Sequence, residues 1–298
     1  MTTDVKSFAA RIPKAELHVH LEGTIRYETA TALGAAHGLP PPPEYKYSSL
    51  DGFMNVYLPL QRYVVTREDF ERVILEHGAV MQRQNIAYAE VSFNPSLHDG
   101  DGWLDGIALG RRRVLDELGV DIAWLVELVR GAEAGVNERS LDIALATEGV
   151  VGLGLVGHES ISGASLIPLV ERARKAGLGF MPHAGQSEGP EVVWEAIGPM
   201  GATRVAHGVS AAGDRALMQV LADRDVCLCV CPSSNARIGL KPDYGALAEA
   251  GVPLTVNTDD PAMVPATLRT ELDLAVERYG LSREALIAAA WKHRFAAP

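Results

Sequence analysis

The sequence predicts an α/β protein in which eight parallel strands and their connecting helices form a single (β/α)₈ barrel. The first observation is that short β-branched and aliphatic runs alternate with longer amphipathic segments, a pattern typical of parallel βαβ units. The second is that these runs number about eight, the count that closes such a barrel. The third is size, because 298 residues, 47% of them hydrophobic, suit one barrel domain with one large core.

The predicted strands are short apolar runs, and several of them end in glycine, histidine or aspartate. They cover residues 15–21, 88–95, 121–130, 150–157, 177–185, 203–208, 226–232 and 252–258. Between the strands, apolar residues recur at spacings of three and four with charges elsewhere, which predicts helices on the outside of the barrel. These predicted helices include residues 67–84, 104–118, 166–176, 190–200 and 214–223.

An additional segment interrupts this alternation after the first strand. The prolines of residues 40–43 cannot be helical and predict a stiff connection into residues 48–65, which are more numerous than an ordinary βα loop needs. We expect an extra helical cap near residues 48–65. Its aromatic residues Phe53 and Tyr57 either cover the barrel mouth, where they would contact a substrate, or pack the extra helix against the barrel, and the two alternatives are compatible.

The charge of the chain argues against several classes of partner. The formal net charge is −11, so the surface would repel nucleic acid backbones and anionic lipid headgroups. No segment reaches the apolar length of a membrane span. We therefore expect a cytoplasmic protein that binds a small-molecule substrate, without a nucleic acid or membrane partner. The sequence leaves the oligomeric state open, with a homodimer among the alternatives.

Histidines and an aspartate stand at the carboxyl ends of four predicted strands. His18 and His20 are two residues apart at the end of the first strand, so both imidazoles point to one face. His183, His207 and Asp259 close the fifth, sixth and eighth strands. Barrel enzymes place their sites at these ends. Three imidazoles, a carboxylate and a water suit a catalytic zinc ion with one open position.

Five motifs in the chain are similar to those of the adenosine deaminase family of metal-dependent hydrolases. They are PKAELHVHLEGT at 13–24, HAG at 183–185, VAHG at 205–208, CPSSN at 231–235 and NTDDP at 257–261. Their order and spacing resemble the family's, and the resemblance runs from about residue 13 to the end of the chain. It implies a single barrel domain over residues 1–298 and the hydrolytic removal of an amine from a purine or a related heterocycle.

The resemblance also implies roles for individual residues. The metal, usually zinc and one per subunit, would be held by His18, His20, His183 and Asp259, although another divalent transition metal fits the same ligands. His207 would orient and deprotonate the metal-bound water, and Asp260 would hydrogen-bond a ring nitrogen. The implied or expected substrate contacts are Gly157, His20, Glu22, His158, Phe53 and Tyr57.

Two positions, Glu22 and His158, depart from the family pattern and modify the implied substrate contacts. Glu22 stands where adenosine-specific enzymes carry an aspartate that reads the ribose, which weakens the case for adenosine itself. His158 stands where the family usually has an acidic residue, and it is either a substrate contact or a hydrogen-bonded loop histidine. We expect His98 and the other remaining histidines to serve packing or to lie on the surface.

Gln186 is the most informative departure from the family pattern. The family has a glutamate directly after His-Ala-Gly that delivers a proton to the ring, but a glutamine amide has no proton to transfer. Losing a general acid typically costs about 10²–10⁴ in rate. Three explanations stay open: a ring that needs no such proton, a chain mutated to trap substrate, or a member that has lost deamination. Accordingly, a hydrolase with a different leaving group and a non-catalytic binding paralogue are the alternatives.

Overall fold

The described chain folds around eight parallel strands that are hydrogen-bonded in chain order. The computed structural model describes residues 12–98 and 102–295. The first and last strands meet through backbone hydrogen bonds from His20 N to Asp259 O (2.9 Å) and from Asp259 N to His18 O (3.1 Å). These bonds close the sheet, which confirms the predicted (β/α)₈ barrel. The strands are β1 Lys14–His20, β2 Ile86–Phe93, β3 Asp121–Val129, β4 Val150–Val156, β5 Gly179–Ala184, β6 Arg204–His207, β7 Cys227–Val230 and β8 Leu254–Val256.

Helices connect the strands on the outside, and the five predicted from periodicity are all present with shifted ends. The helix predicted at 104–118 ends its regular α-helical part at residue 113 and continues as a wider turn to residue 118. Within the described ranges the helices are α1 Tyr27–His37, α2 Leu50–Leu60, α3 Arg67–Arg83, α4 Trp103–Arg113, α5 Val136–Ala146, α6 Ile167–Lys175, α7 Pro190–Ile197, α8 Arg215–Asp223, α9 Pro232–Arg237, α10 Tyr244–Glu249, α11 Leu268–Tyr279 and α12 Arg283–His293.

Helix α3 shows how local sequence sets these elements. Thr66 accepts a hydrogen bond from Asp69 N, and the Asp69 side chain accepts from Thr66 N, so the two form a capping box at the first turn. Phe70, Val73 and Ile74 follow at helical spacing and are buried. The helix therefore begins at a sequence-encoded cap and packs one apolar face against the barrel.

Buried side chains fill the barrel interior. Leu17, Leu125, Met181, Ala206 and Cys229 come from different strands and belong to one buried cluster. A larger apolar cluster surrounds it between the sheet and the helices. The barrel is thus a packed core rather than a channel, which leaves its rims for chemistry.

At the amino-terminal rim, the end of the chain closes what we call the floor, formed by Glu90, Arg204 and Phe295. The buried Arg204 guanidinium forms an ion pair with Glu90 and donates to the carbonyl oxygen of His293 (2.8 Å). The Phe295 ring lies 3.9 Å from the Arg204 Cζ and fills the space left by Gly179. The buried charges of the floor are therefore paired.

The predicted cap is present at the opposite rim. Helix α2 begins at Ser49, whose hydroxyl accepts from Gly52 N, and a short 3₁₀ turn follows at Gln61–Tyr63. Phe53 packs against Tyr57 with ring centroids 5.1 Å apart. The packing alternative is confirmed, because Tyr57 belongs to the apolar core and Phe53 packs against it. Tyr57 also donates to Glu22, and contact of these aromatics with a substrate stays a prediction. Within the described residues, every helix is too short or too polar to cross a membrane.

Candidate active site

Three imidazoles and one carboxylate converge at the carboxyl-terminal rim. The Nε2 atom of His183 lies 3.2 Å from Nε2 of His18 and 3.3 Å from Nε2 of His20. The Oδ1 atom of Asp259 lies 3.2 Å from Nε2 of His18 and 3.3 Å from Nε2 of His20. We call these four residues the donor cluster. The structure thus brings together the four residues that the sequence proposed as metal ligands.

Backbone carbonyls orient two of the rings. Nδ1 of His18 lies 3.0 Å from the carbonyl oxygen of Cys229, and Nδ1 of His183 lies 3.1 Å from that of Leu155. A carbonyl oxygen only accepts, so these Nδ1 atoms carry the hydrogens and both Nε2 atoms present lone pairs. Two lone pairs that meet at 3.2 Å repel each other unless a cation lies between them.

Polar side chains hold the third ring. Nδ1 of His20 lies 2.9 Å from the Ser92 hydroxyl and 2.6 Å from Oε1 of Glu127, which is itself buried. Burial alone would lower the pKa of His20, but Glu127 and Asp259 outweigh it and raise that pKa well above its ordinary value. This is the carboxylate–histidine arrangement that accompanies metal-ligating imidazoles.

The donor cluster fits a transition metal. Zinc binds histidine nitrogen and carboxylate oxygen at about 2.0–2.2 Å, so neighbouring ligands of one ion lie roughly 3–3.5 Å apart. The distances of 3.2 and 3.3 Å match this spacing. A second possible ligand group consists of His207, His18, His183 and Asp259. One ligand atom from each of these residues lies within 4.8 Å of the other three. His207 stands further back, with its Nε2 atom 3.8 Å from Oδ2 of Asp259.

His207 combines backbone strain with an unpaired nitrogen. Its φ is +62°, in the left-handed region that residues with a side chain rarely adopt. Its Nδ1 atom is buried and has no hydrogen-bond partner among the described residues. Burial lowers the pKa of His207 to about 3, so the ring is neutral. Such strain persists only where the surrounding structure enforces it, and it clusters at functional sites.

Asp259 and Asp260 are adjacent but have different surroundings. Asp259 has a φ of +63°, and its Oδ2 accepts from the Ser234 hydroxyl at 2.7 Å. Oδ1 of Asp260 is buried, and no group in the described part of the chain bonds it. A Cβ atom at Gly23 would lie 2.0 Å from that oxygen, so the glycine is what admits the carboxylate. Burial, followed by the charge of Asp259, raises the pKa of Asp260 well above its ordinary value.

Glu22 is held in a buried polar cluster below the cap. Its Oε1 accepts from Asn94 N (3.0 Å) and pairs with Nε2 of His98 (2.9 Å), while the Tyr57 hydroxyl donates to Oε2 at 3.4 Å. Burial would raise the pKa of Glu22, but His98 outweighs it and lowers that pKa. His98 packs, as expected, against Phe70 and Trp103, with ring centroids 4.9 and 5.3 Å apart. It is in addition a direct partner of Glu22, which the sequence did not indicate.

The loop after β5 carries Gln186 and is fixed by a residue that sequence reasoning missed. The buried Glu159 carboxylate accepts from the backbone N–H groups of Gly185, Gln186, Ser187 and Glu188 at 3.0–3.2 Å. The Gln186 side chain is half-buried, and its Nε2 donates to Oδ1 of Asn235 at 3.0 Å. Gln186 therefore has a defined position beside the donor cluster.

The remaining predicted contacts lie nearer the surface. Gly157 ends β4 with a φ of +97°, against the backbone of Arg130. His158 is exposed, and its side chain makes no polar contact with the described residues. Phe53 is half-buried in the cap. The structure thus gathers the metal-site residues and Glu22, but it leaves His158 outside that cluster.

The comparison with protein families decides the relationship. The family model described as adenosine deaminase matches residues 13–293. The chain belongs to the adenosine deaminase family. As a member of this family, it is a hydrolytic deaminase acting on C–N bonds.

Individual relatives agree with this assignment. An aminodeoxyfutalosine deaminase of Streptomyces coelicolor is 34% identical, over 95% of this chain and 79% of that protein. An adenine deaminase of the same species is 32% identical, over 92% of this chain and 87% of that protein.

Solved structures show the same fold. An adenine deaminase from Arthrobacter aurescens matches with a TM-score of 0.89 at 25% identity, over 96% of this chain and 94% of that one. The apo N6-methyl-AMP deaminase from Arabidopsis thaliana matches with a TM-score of 0.84 at 22% identity, over 98% and 94% of the two chains. At 22% identity, the similarity to this second structure supports the barrel fold and nothing further.

Proposed function

We propose that the protein is a zinc-dependent hydrolytic deaminase of an aminated purine or a related heterocycle. The observation that carries the proposal is the convergence of Nε2 atoms from His18, His20 and His183 with Oδ1 of Asp259 at 3.2–3.3 Å. This donor set suits zinc, and iron or another divalent transition metal would fit similar ligands. The named relatives that deaminate adenine and aminodeoxyfutalosine support a ring amine as the substrate.

The proposed mechanism divides tasks among the residues. Zinc, when bound by the donor cluster, lowers the pKa of water to about 7 and so supplies a hydroxide nucleophile. His207 would hold a water and accept its proton, because its neutral ring lies beside the donor cluster, with Nε2 3.8 Å from Oδ2 of Asp259. Asp259 keeps one oxygen in the donor cluster and the other on Ser234. The carboxylate is thereby held in one orientation.

The other site residues act on the substrate. Asp260 would face the ring through Oδ1, the buried oxygen that has no hydrogen-bond partner in the described parts of the chain. Gly157 offers its backbone at the end of β4, and Glu22 with Tyr57 marks the part of the pocket below the cap. His20, Phe53 and His158 complete the proposed contacts. Gln186 stands where the resemblance places the proton-donating glutamate.

The test is a deamination screen with protein that has been stripped of metal and reloaded with zinc. Ammonia release would be measured with adenine, adenosine, aminodeoxyfutalosine, substituted purines and pterins, in parallel with a Gln186→Glu variant. We expect one ring class to release ammonia with the unaltered chain and chelation to abolish the reaction. Silence of both proteins toward every amine would reject the deaminase and favour a different leaving group or a binding role.

The setting of this activity is also a proposal. We propose a cytoplasmic enzyme of small molecules without a nucleic acid or membrane partner, because the formal net charge is −11. A homodimer is one arrangement that light scattering would detect. Retention on a nucleic acid column at physiological salt would contradict the partner prediction.

A further inference from the structure

Gln186 is held on both its backbone and its side chain, so its amide is a built feature of the site. Its backbone N–H donates to the buried Glu159 carboxylate, which also accepts from the next two N–H groups of the loop. Its side chain is bound to Asn235. Asn235 in turn follows Ser234, the residue that bonds Asp259. The amide of Gln186 therefore stands at a fixed place beside the donor cluster.

A chain of hydrogen bonds orients this amide. Gln186 Nε2 donates to Oδ1 of Asn235 at 3.0 Å, and Nδ2 of Asn235 donates to the Tyr244 hydroxyl at 2.9 Å. Asn235 and Tyr244 are both completely buried, so water does not compete for these bonds. Because the Gln186 amide already donates one of its two N–H hydrogens to Asn235, its carbonyl oxygen Oε1 is the end of the amide without a partner. No group of the described residues donates to it.

Two oxygens beside the site lack a donor among the described residues, Oε1 of Gln186 and the buried Oδ1 of Asp260. The Glu22 carboxylate, by contrast, is already satisfied by Asn94, His98 and Tyr57. A ring that offers only acceptor nitrogens would leave such oxygens unsatisfied, at a free-energy cost. A ring rich in N–H donors would satisfy them.

We infer that Gln186 Oε1 accepts a hydrogen bond from a ring N–H adjacent to the amine-bearing carbon, so the substrate carries a 2-amino-4-oxopyrimidine ring, as in guanine, pterins or isocytosine. The inference rests on the proposed deaminase function and specifies its substrate class. In such a ring the amine-bearing carbon lies between an N–H and an imine nitrogen. Adenine instead has a bare acceptor nitrogen beside its amine.

The chemistry of this ring removes the need for an acid at position 186. The oxygen of water bonds to the carbon, and the electron pair of the C=N bond moves to the imine nitrogen on the side opposite the N–H. The C–NH₂ bond then breaks. Of the two water hydrogens, one ends on the former imine nitrogen and one on the departing ammonia, so the products are a dioxo ring and NH₃. The N–H facing Gln186 is unchanged throughout, and an amide acceptor suffices there.

Matched ligands test the inference by binding. Guanine and 2-aminopurine share the amine position, and the oxo group of guanine makes the neighbouring nitrogen a donor. Isocytosine and 2-aminopyrimidine form the corresponding one-ring pair. With zinc-loaded protein we expect the oxo member of each pair to bind about tenfold more tightly by calorimetry. Equal binding, or a preference for the members without the oxo group, would overturn the inference.

Variants separate the Gln186 contact from other effects of the oxo group. Gln186→Leu keeps the side-chain size but has no acceptor, and it should abolish the preference within each pair. Asn235→Asp offers only acceptors when ionised, so Gln186 must still donate to it and the preference should remain. A preference that survives in Gln186→Leu, or one that reverses in correctly folded Asn235→Asp, would contradict the inferred orientation.

An ammonia assay on the same ligands distinguishes failure of the inference from failure of the proposed function. Ammonia from guanine or isocytosine, but not from adenine, supports both. Ammonia from adenine alone keeps the deaminase and overturns the inference. A tenfold binding preference that Gln186→Leu abolishes, without ammonia from any amine, supports the recognition by Gln186 and rejects the deaminase.

Discussion

The two rims of the barrel both bury charged side chains, but they treat them differently. At the floor, Arg204 is satisfied by Glu90 and by the carbonyl oxygen of His293. At the carboxyl-terminal rim, Asp260 Oδ1 and His207 Nδ1 are buried without hydrogen-bond partners among residues 12–98 and 102–295. Unpaired buried polar groups cost free energy, and natural proteins keep them where function requires it. The comparison teaches that the paired charges of the floor support the fold, whereas the unpaired polar groups lie where the proposed chemistry takes place.

The largest expected effect is the loss of activity from the site. Asp259→Ala removes a proposed metal ligand, so we expect zinc content to fall and ammonia release to drop by roughly 10³-fold or more. Metal analysis and the ammonia assay measure this. The Ser234→Ala variant, which removes only the hydroxyl that bonds Asp259, should keep the metal. Full zinc occupancy in Asp259→Ala would refute its role as a ligand.

A substitution in the floor should lower the free energy of unfolding rather than the activity. Arg204→Met leaves Glu90 buried and unpaired, which typically costs about 3–5 kcal/mol of unfolding free energy. Urea unfolding would measure this loss. The double variant Glu90→Gln, Arg204→Met should recover part of it, because no uncompensated charge is left. If the single variant were as stable as the parent, the view of the floor as a structural ion pair would be wrong.

A substitution at Asp260 should have the opposite effects to one at Arg204, lowering activity without lowering stability. Asp260→Asn keeps the shape but removes a buried carboxyl next to Asp259, so stability should be unchanged or rise by about 1 kcal/mol. Activity should fall by about 10²-fold if this group serves the ring. Thermal unfolding and turnover on the same preparation test both statements. A large loss of stability with normal turnover would reverse the contrast between the rims.

His77 tests whether the comparison extends to a buried polar group that belongs neither to the floor nor to the site. This histidine lies in α3, with Nε2 buried and without a partner among the residues that the structure describes, and burial lowers its pKa to about 4. The unfolded chain, with an ordinary pKa near 6.5, binds a proton first as pH falls. Unfolding free energy should therefore decline by on the order of 2 kcal/mol between pH 6.5 and 4. In His77→Gln this decline should be smaller, and an identical pH profile would show that His77 does not contribute.

Much of the fold and the metal site was predictable from local sequence. Strand and helix periods are local properties, and His18, His20, His183 and Asp259 could be placed because strand ends in a barrel meet at one rim. Strand ends were less predictable. The strand predicted at 252–258 is shorter in the structure, because the Thr258 backbone N–H donates to the Glu16 side chain and not to a neighbouring strand.

The supporting residues could not be found in this way, because their partners are distant in sequence. Glu127 contacts His20 across the barrel, and Glu159 binds a loop that begins more than twenty residues later. One signal was present, since Glu127 is a lone charged residue in the apolar run of β3. Glu159 and His98 had no comparable signal, because each looks like an ordinary loop residue until its partner is known.

The closure between β1 and β8 has a consequence for how the protein assembles. His18 and His20 come from the first strand and Asp259 from the end of the last, and few backbone hydrogen bonds join those strands. A bound ion would therefore link the first strand of the sheet to the segment that follows its last strand. Since contacts between such distant segments form late and slowly, the ion would act as a staple that only the finished ring can accept. Zinc uptake during refolding would then report the moment at which the ring closes.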